Sequence, residues 1–316
     1  MSGGTAPLPW QLDHWARLGQ QADSGRLPHA LLIAGPAGIG KERFARAVAA
    51  RLLCGSPVSG TACGSCKSCL LLAAGSHPDL LDVSSDEGSR VIKIDQVREL
   101  IDFAGKTPAI AGNKVVLLGP AEAMNINAAN ALLKCLEEPS ASTSLLLYSH
   151  QPSGLPATVR SRCQALSMPV PGREACLAWL RPQCVDDIGA EELLDAAGGR
   201  PLAALELLGN DGLQTRQAVR AGLAALVQGR LSPLEFPAVV SELDIETVLA
   251  LMQGLLEASL RASVAPGDRR AMLGFELRDE LARLQRAIAN GANPNRQLII
   301  EDYSTRLASA LRDSTT

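Results

Sequence analysis

A surplus of basic charge is missing from this chain. Its 30 Lys and Arg are outnumbered by 33 Asp and Glu, giving a net charge of -3. That balance excludes a generally basic nucleic-acid coat, so any nucleic-acid contact must come from a local patch or a larger assembly. Long apolar runs are missing too: none approaches the roughly 20 residues a membrane helix needs. The first ten residues, MSGGTAPLPW, contain neither the basic nor the apolar segment of a secretory signal, so a cytoplasmic location is expected. Disulfides are then not expected, and the eight cysteines need another explanation. None of the four histidines stands beside a triad partner, which leaves nucleophilic hydrolase chemistry without support. There is no internal repeat. What is present is an apolar fraction of 47%, typical of globular chains, spread over 316 residues, more than one compact core accommodates.

Residues 1–170 alternate between strand and helix signals. Ala30-Leu31-Leu32-Ile33-Ala34 is a short apolar strand running into a glycine-rich turn. Helix formers with apolar spacing at Phe44, Ala47, Val48 and Leu52 follow over 41–53. Further strands are expected at 115–118, opened by Lys114, at 145–148 and at 163–168. An alanine- and leucine-rich helix is expected over 121–136, ending before Pro139. Such alternation implies an α/β fold with a parallel sheet and helices on both faces. The proline-rich stretch 168–172 marks a first boundary, and Gly209-Asn210-Asp211-Gly212 a second. The expected organisation is therefore an α/β domain over 1–168, a small helical domain over 169–208 and an all-α domain over 209–316. The last part has twelve arginines and no lysine after Leu213, and its leucines recur at helical spacing. It reads as a helical core or as an oligomerisation module.

The turn Gly35-Pro-Ala-Gly38-Ile-Gly40-Lys41-Glu42 fits the phosphate-loop pattern G-x-x-x-x-G-K and then departs from it. In such loops glycines let backbone N–H groups face a phosphate, the helix N-terminus adds positive potential, and the lysine reaches the β and γ oxygens. The next residue should offer Mg²⁺ a hydroxyl. Here it is Glu42, an anion, whose repulsion from a phosphate is on the order of 4 kcal/mol at about 4 Å. Impaired nucleotide binding through Gly35, Gly38, Gly40 and Lys41, or none at all, are both open. A second requirement is an acid at the end of the next core strand, to hold Mg²⁺ and polarise water. After Leu118 the chain offers Gly119 and Pro120. Glu122 comes two residues late, where the first turn of the 121–136 helix is expected. With metal ligand and base both missing, no intrinsic ATP hydrolysis is expected.

Cys54, Cys63, Cys66 and Cys69 fall within sixteen residues. Four thiolates can close a tetrahedral Zn²⁺ site with no open position, which makes it structural. A redox dithiol or unliganded thiols are the alternatives. Cys135, Cys163, Cys176 and Cys184 are scattered and read as small core residues.

Longer strings now bear on these features. Asn130-Ala-Leu-Leu-Lys-Cys-Leu-Glu-Glu-Pro139, Leu155-Pro-Ala-Thr-Val-Arg-Ser161-Arg162-Cys163, Pro28-His29-Ala30-Leu31-Leu32 and the four-cysteine insert together resemble the bacterial replicative clamp loader family of AAA+ proteins. The resemblance covers nearly all of the first domain and fades after about residue 210. It implies an AAA+ phosphate-loop domain with a zinc insert, a helical lid and a C-terminal collar. The departures at Glu42, Gly119 and Pro120, and Leu202 where the motor pattern G-x-x-R has its arginine, imply a member without hydrolysis of its own. The resemblance further implies a hetero-pentameric ring with gamma/tau and delta subunits that loads a sliding clamp on primed DNA. By carry-over, Arg162 of the Ser161-Arg162-Cys163 turn is an arginine finger, acting in trans on the ATP bound by a neighbour. Pairing of Arg162 with a local acid is the competing reading. The rival functions are an ATP-hydrolysing gamma/tau-type motor subunit and a free-standing zinc protein that binds DNA. Nucleotide addition would belong to the polymerase III holoenzyme rather than to this chain.

Overall fold

The computed structural model describes residues 6–86, 89, 91–138, 142–184, 187–209, 212–241, 243–263, 269–289, 292 and 294–311. The chain divides into two compact units, Met1–Gly209 and Asn210–Thr316.

The first unit is built on five parallel strands: β1 (Ala30–Ala34), β2 (Leu80–Val83), β3 (Lys114–Leu118), β4 (Thr143–Ser149) and β5 (Gln164–Ser167), in the order β2-β3-β4-β1-β5. Strand β2 has no counterpart among the strands expected from sequence. Its helices are α1 (Leu12–Asp23), α2 (Lys41–Leu53), α3 (Lys67–Ala73), α4 (Ile94–Ala104), α5 (Ile126–Glu137), α6 (Ala157–Arg160), α7 (Arg173–Leu180), α8 (Asp187–Ala196) and α9 (Pro201–Gly209). Alternate strand residues face opposite sides of the sheet. Leu32, Val116, Leu118, Leu145 and Leu147 pack with Val97 and Leu100 of α4 and Leu132 and Leu136 of α5. Leu31, Ile33, Val115, Leu117, Leu146 and Tyr148 pack on the other side with Trp15 of α1 and Phe44 and Val48 of α2. The result is a sheet between two helical layers, whose central strands β1, β3 and β4 are nearly continuous apolar runs, as burial on both faces requires.

The segment 121–136 is not one helix. A short 3-10 turn at Ala121–Ala123 precedes α5, which starts afresh because the Asn125 side chain accepts the Ala128 N–H at 2.8 Å. The register pairs Ala34 with Ser149 and Leu118 with Leu147. The carboxyl ends of β1, β3 and β4 therefore open on one edge, where ligands bind in open parallel sheets. Helices α7, α8 and α9 pack on one another within this unit.

The second unit is helical: α10 (Gly212–Val227), α11 (Phe236–Val239), α12 (Ile245–Ser263), α13 (Arg269–Ala289) and α14 (Arg296–Leu311). Leu223, Leu226, Phe236, Val248, Met252, Leu256, Leu277, Leu281, Ile300 and Leu307 form its core. No helix among the described residues is long and apolar enough to cross a membrane.

Asp79 fixes the approach to β3. Its fully buried carboxylate accepts the N–H groups of Ala109 (2.6 Å), Ile110 (2.8 Å) and Ala111 (2.8 Å). Burial opposes the charge, but the three donors, with His77, bring the carboxyl below its ordinary range. A depressed folded value means that this stabilisation is present above the unfolded carboxyl pKa, near 3.9, and is lost as pH falls through the folded value. Asp79→Ala orphans three N–H groups and is expected to cost about 3 kcal/mol at pH 7 in denaturant titrations. That loss should shrink in acid.

Candidate functional site

The turn after β1 and the start of α2 carry the glycine pattern read from sequence as a phosphate loop. Gly40 is the residue before α2, with φ of +87°, and a Cβ there would lie 2.5 Å from Leu8 Cδ1 and 3.3 Å from Leu202 Cδ1. Only glycine fits that left-handed, crowded position. The Gly35 N–H and several of the loop's carbonyls already have partners in the chain. Gly35 N–H donates to Ser149 O at 3.2 Å. Trp10 Nε1–H donates to Ile39 O at 2.9 Å, Gln11 Nε2 to Gly40 O at 3.0 Å, and Leu202 N–H to Gly38 O at 2.9 Å. Trp10 in turn meets Trp179 of α7 edge-on, with ring centroids 5.4 Å apart. The segment before α1 and the first turn of α9 are thus fastened onto the loop.

Lys41 is 2% exposed, and its Nζ donates to Pro36 O at 2.6 Å. Burial lowers its pKa to about 8, against the pull of the Glu122 carboxylate. Glu42, which takes the place of the magnesium-binding hydroxyl, lies at the surface and pairs with Arg46 one turn on, at 3.0 Å. Arg46 also reaches Asp82 of β2 at 2.6 Å. The anion read from sequence as a repulsive element is therefore held by a cation on its own helix.

At the end of β3 the missing acid has a steric reason. A Cβ on Gly119 would lie 2.6 Å from the ring of Tyr148, the 5%-exposed aromatic near the end of β4. Burial, reinforced by Glu42 and Asp82, raises the Tyr148 phenol above its ordinary range. Glu122 is on the first turn of a 3-10 helix and not of α5, which begins at Ile126. Its Oε1 accepts the N–H groups of His150 (2.8 Å) and Gln151 (3.1 Å). Burial and Lys41 hold His150 below the ordinary histidine value. Glu122 Oε2, Ser149 Oγ and His150 Nδ1 are buried without a hydrogen-bond partner. Tyr148 and Glu122 shape this edge, and nothing in sequence spacing points to their contacts.

Arg162 follows α6. Its Nε donates to Glu137 Oε1 at 2.7 Å, its NH2 is also on that carboxylate, and its NH1 donates to Thr158 O at 2.9 Å and to Ser161 Oγ at 3.4 Å. Arg200 turns onto Ala197 O at 2.7 Å.

The four clustered cysteines do converge. Their sulfurs lie within 4.8 Å of one another, with 3.9 Å between Cys54 and Cys66 and between Cys63 and Cys69. A tetrahedron with metal–sulfur bonds of 2.3 Å has edges of about 3.8 Å. Cys54 ends α2, and Cys66 and Cys69 sit at the start of α3. Backbone N–H groups point at three sulfurs: Cys63 N–H to Cys54 (3.3 Å), Cys66 N–H to Cys63 (3.3 Å) and Cys69 N–H to Cys66 (3.5 Å). Such donors stabilise thiolates, and a four-sulfur cluster of this size can hold a metal ion. Arg51, in the last turn of α2, ties the cysteine loop to α1 by donating to Gly60 O (2.6 Å), Gly19 O (3.2 Å) and Asp23 Oδ1 (2.6 Å). Among the remaining cysteines, burial raises the thiol of Cys163 to about 11 and shifts Cys135 and Cys176 upward as well, which leaves these three unreactive.

The buried amine of Lys41 gives a test of the loop. A lysine whose folded pKa is lowered costs stability while it is charged. That cost is full below about 8 and fades as pH rises toward the unfolded value, near 10.4. Lys41→Met is expected to stabilise the first unit by on the order of 1 kcal/mol at pH 7 in thermal melts, with the gain vanishing near pH 10.

Comparison with known proteins converges on one family. A family model described as DNA polymerase III, delta subunit, matches residues 10–171. The chain is 40% identical over 321 residues to DNA polymerase III subunit delta' of Pseudomonas aeruginosa, covering 95% of this chain and 97% of that protein. It is 30% identical over 323 residues to the Escherichia coli delta' subunit, covering 95% and 94%. Subunit tau of Escherichia coli is 31% identical over 255 residues, which span 80% of this chain and 38% of tau. Among solved structures, a gamma subunit-related protein of Thermotoga maritima shares the fold, with a TM-score of 0.50 and 18% identity over 96% of this chain and all of that one. The chain belongs to the family of DNA polymerase III subunit delta' and is related in sequence to subunit tau.

Proposed function

We propose that this chain is a non-hydrolysing subunit of a clamp loader ring, completing a neighbour's ATP site in place of running one of its own. The observation that carries this reading is the edge of the sheet at Gly119, where the Tyr148 ring stands 2.6 Å from where a Cβ would be. A carboxylate has no room there, so the strand end that anchors Mg²⁺ in a working phosphate-loop site offers none. Glu42 removes the second magnesium ligand. The segment before α1 and Leu202 of α9, where a motor subunit's second sensor arginine would be, lie against the loop. Helices α7–α9 act in this reading as the lid and α10–α14 as a collar, with domain limits near 168 and 208.

What the chain retains is Arg162. A guanidinium offered across a subunit interface neutralises charge developing on the transferred phosphoryl group, and such fingers supply about 10³–10⁵ in rate. The partners in this reading are gamma/tau and delta subunits in a five-membered ring, and the ring acts on a sliding clamp at primed DNA. The metal at Cys54, Cys63, Cys66 and Cys69 is Zn²⁺, which suits four thiolates without an open position. It would link α2, α3 and the loop between them, and supplies structure rather than chemistry.

Three expectations test this reading together. The purified chain should show no ATP turnover with or without primed DNA, whereas DNA-stimulated turnover by the chain alone would make it a motor subunit. In an assembly reconstituted with motor subunits, Arg162→Ala should leave assembly intact and slow hydrolysis at the adjoining site by about 10³ or more. An unchanged rate would refute the finger. Elemental analysis should give one zinc per chain, lost in Cys66→Ser together with thermal stability.

A further inference from the structure

The contact between Arg162 and Glu137 points beyond the finger itself. Glu137 is the last residue of α5, and Arg162 lies just past α6, 25 residues further along the chain. The guanidinium is divided between two kinds of partner. NH1 is anchored on its own turn, to Thr158 O at 2.9 Å and Ser161 Oγ at 3.4 Å. The Nε and NH2 edge is turned to the Glu137 carboxylate, with Nε to Oε1 at 2.7 Å. That paired edge is the one with which arginine takes a phosphate. The carboxylate and a neighbour's phosphoryl oxygens therefore compete for the same donors. The pair is open to exchange, since the side chains are 33% and 49% exposed. The NH1 anchor survives such an exchange, so the guanidinium need not leave its turn.

We propose that Glu137 is a positioning residue that holds the working edge of Arg162 and restrains it until a phosphoryl group of adequate charge displaces the carboxylate. This rests on Arg162 acting in trans. The exchange replaces one anion by another, so charge on the guanidinium is compensated throughout. Its effect is a threshold: a loosely seated nucleotide at the neighbouring site leaves Arg162 on Glu137, and a well-seated one draws it across. Glu137 touches no reacting atom and acts only through Arg162.

The test is steady-state ATP turnover by the reconstituted assembly, without DNA or clamp, carrying wild-type chain, Glu137→Gln, Arg162→Ala or both changes. A half-exposed ion pair is worth up to about 1 kcal/mol, so its release should raise turnover by up to about fivefold in Glu137→Gln. The double variant should be as slow as Arg162→Ala, because the gain passes through the guanidinium. A slower or unchanged Glu137→Gln assembly, with Arg162→Ala slow, overturns the restraint and leaves the finger standing. A double variant as fast as Glu137→Gln overturns it as well. No effect of Arg162→Ala overturns the finger and the restraint together. Thermal melts of the full chain accompany each variant, and Glu137→Ala must show the same rise if the glutamine variant assembles poorly.

Discussion

The Tyr148 ring and the backbone of Gly119 share one small volume at the carboxyl edge of the sheet, and the character of the whole edge follows from that sharing. Tyr148 belongs to the core face that also holds Leu31, Ile33, Leu117 and Phe44, so its ring is fixed by packing. Gly119 directly succeeds β3, which hydrogen-bonds to β4 in register. Any side chain at 119 must therefore displace a packed aromatic ring. With no carboxylate at 119 and Glu42 paired with Arg46, neither position at which the phosphate-loop pattern places a magnesium ligand carries the expected group.

Four carbonyls of the loop are bonded within the chain. Lys41 serves Pro36 O, and Trp10, Gln11 and Leu202 serve the carbonyls of Ile39, Gly40 and Gly38. Each is an ordinary hydrogen bond to a backbone acceptor that would otherwise need water. Together they fasten the segment before α1 and the α7–α9 group to the sheet. Such fastening is compatible with the proposed role, in which Arg162 is presented to a neighbour.

Much of the fold was legible in the sequence, for definable reasons. Strand β1 and helix α2 stood out because Gly35, Gly38 and Gly40 separate an apolar run from good helix formers. Strands β3 and β4 were legible as apolar runs because they are buried on both faces. Strand β2 was not: it has four residues, only Val83 is buried, and no run distinguishes it. The start of α5 was hidden because Asn125, its cap, lies inside an alanine-rich stretch that passes for continuous helix. At the candidate site, local features were readable and cross-strand ones were not. The four-cysteine spacing and the odd residue at 42 announce themselves. The collision of Tyr148 with Gly119, the Glu122 carboxylate on the backbone of His150 and Gln151, and the Glu137 contact of Arg162 depend on which strand ends and helix ends become neighbours. Spacing along one chain does not contain that information.

The central claim is that this phosphate loop cannot use a divalent ion. It is tested most directly by calorimetric titration of the purified full-length chain with ATP, in the presence and absence of Mg²⁺. The expected result is that Mg²⁺ brings no gain in affinity, whether or not nucleotide binds weakly through the loop. A gain of tenfold or more, about 1.4 kcal/mol of metal-dependent binding, would contradict it.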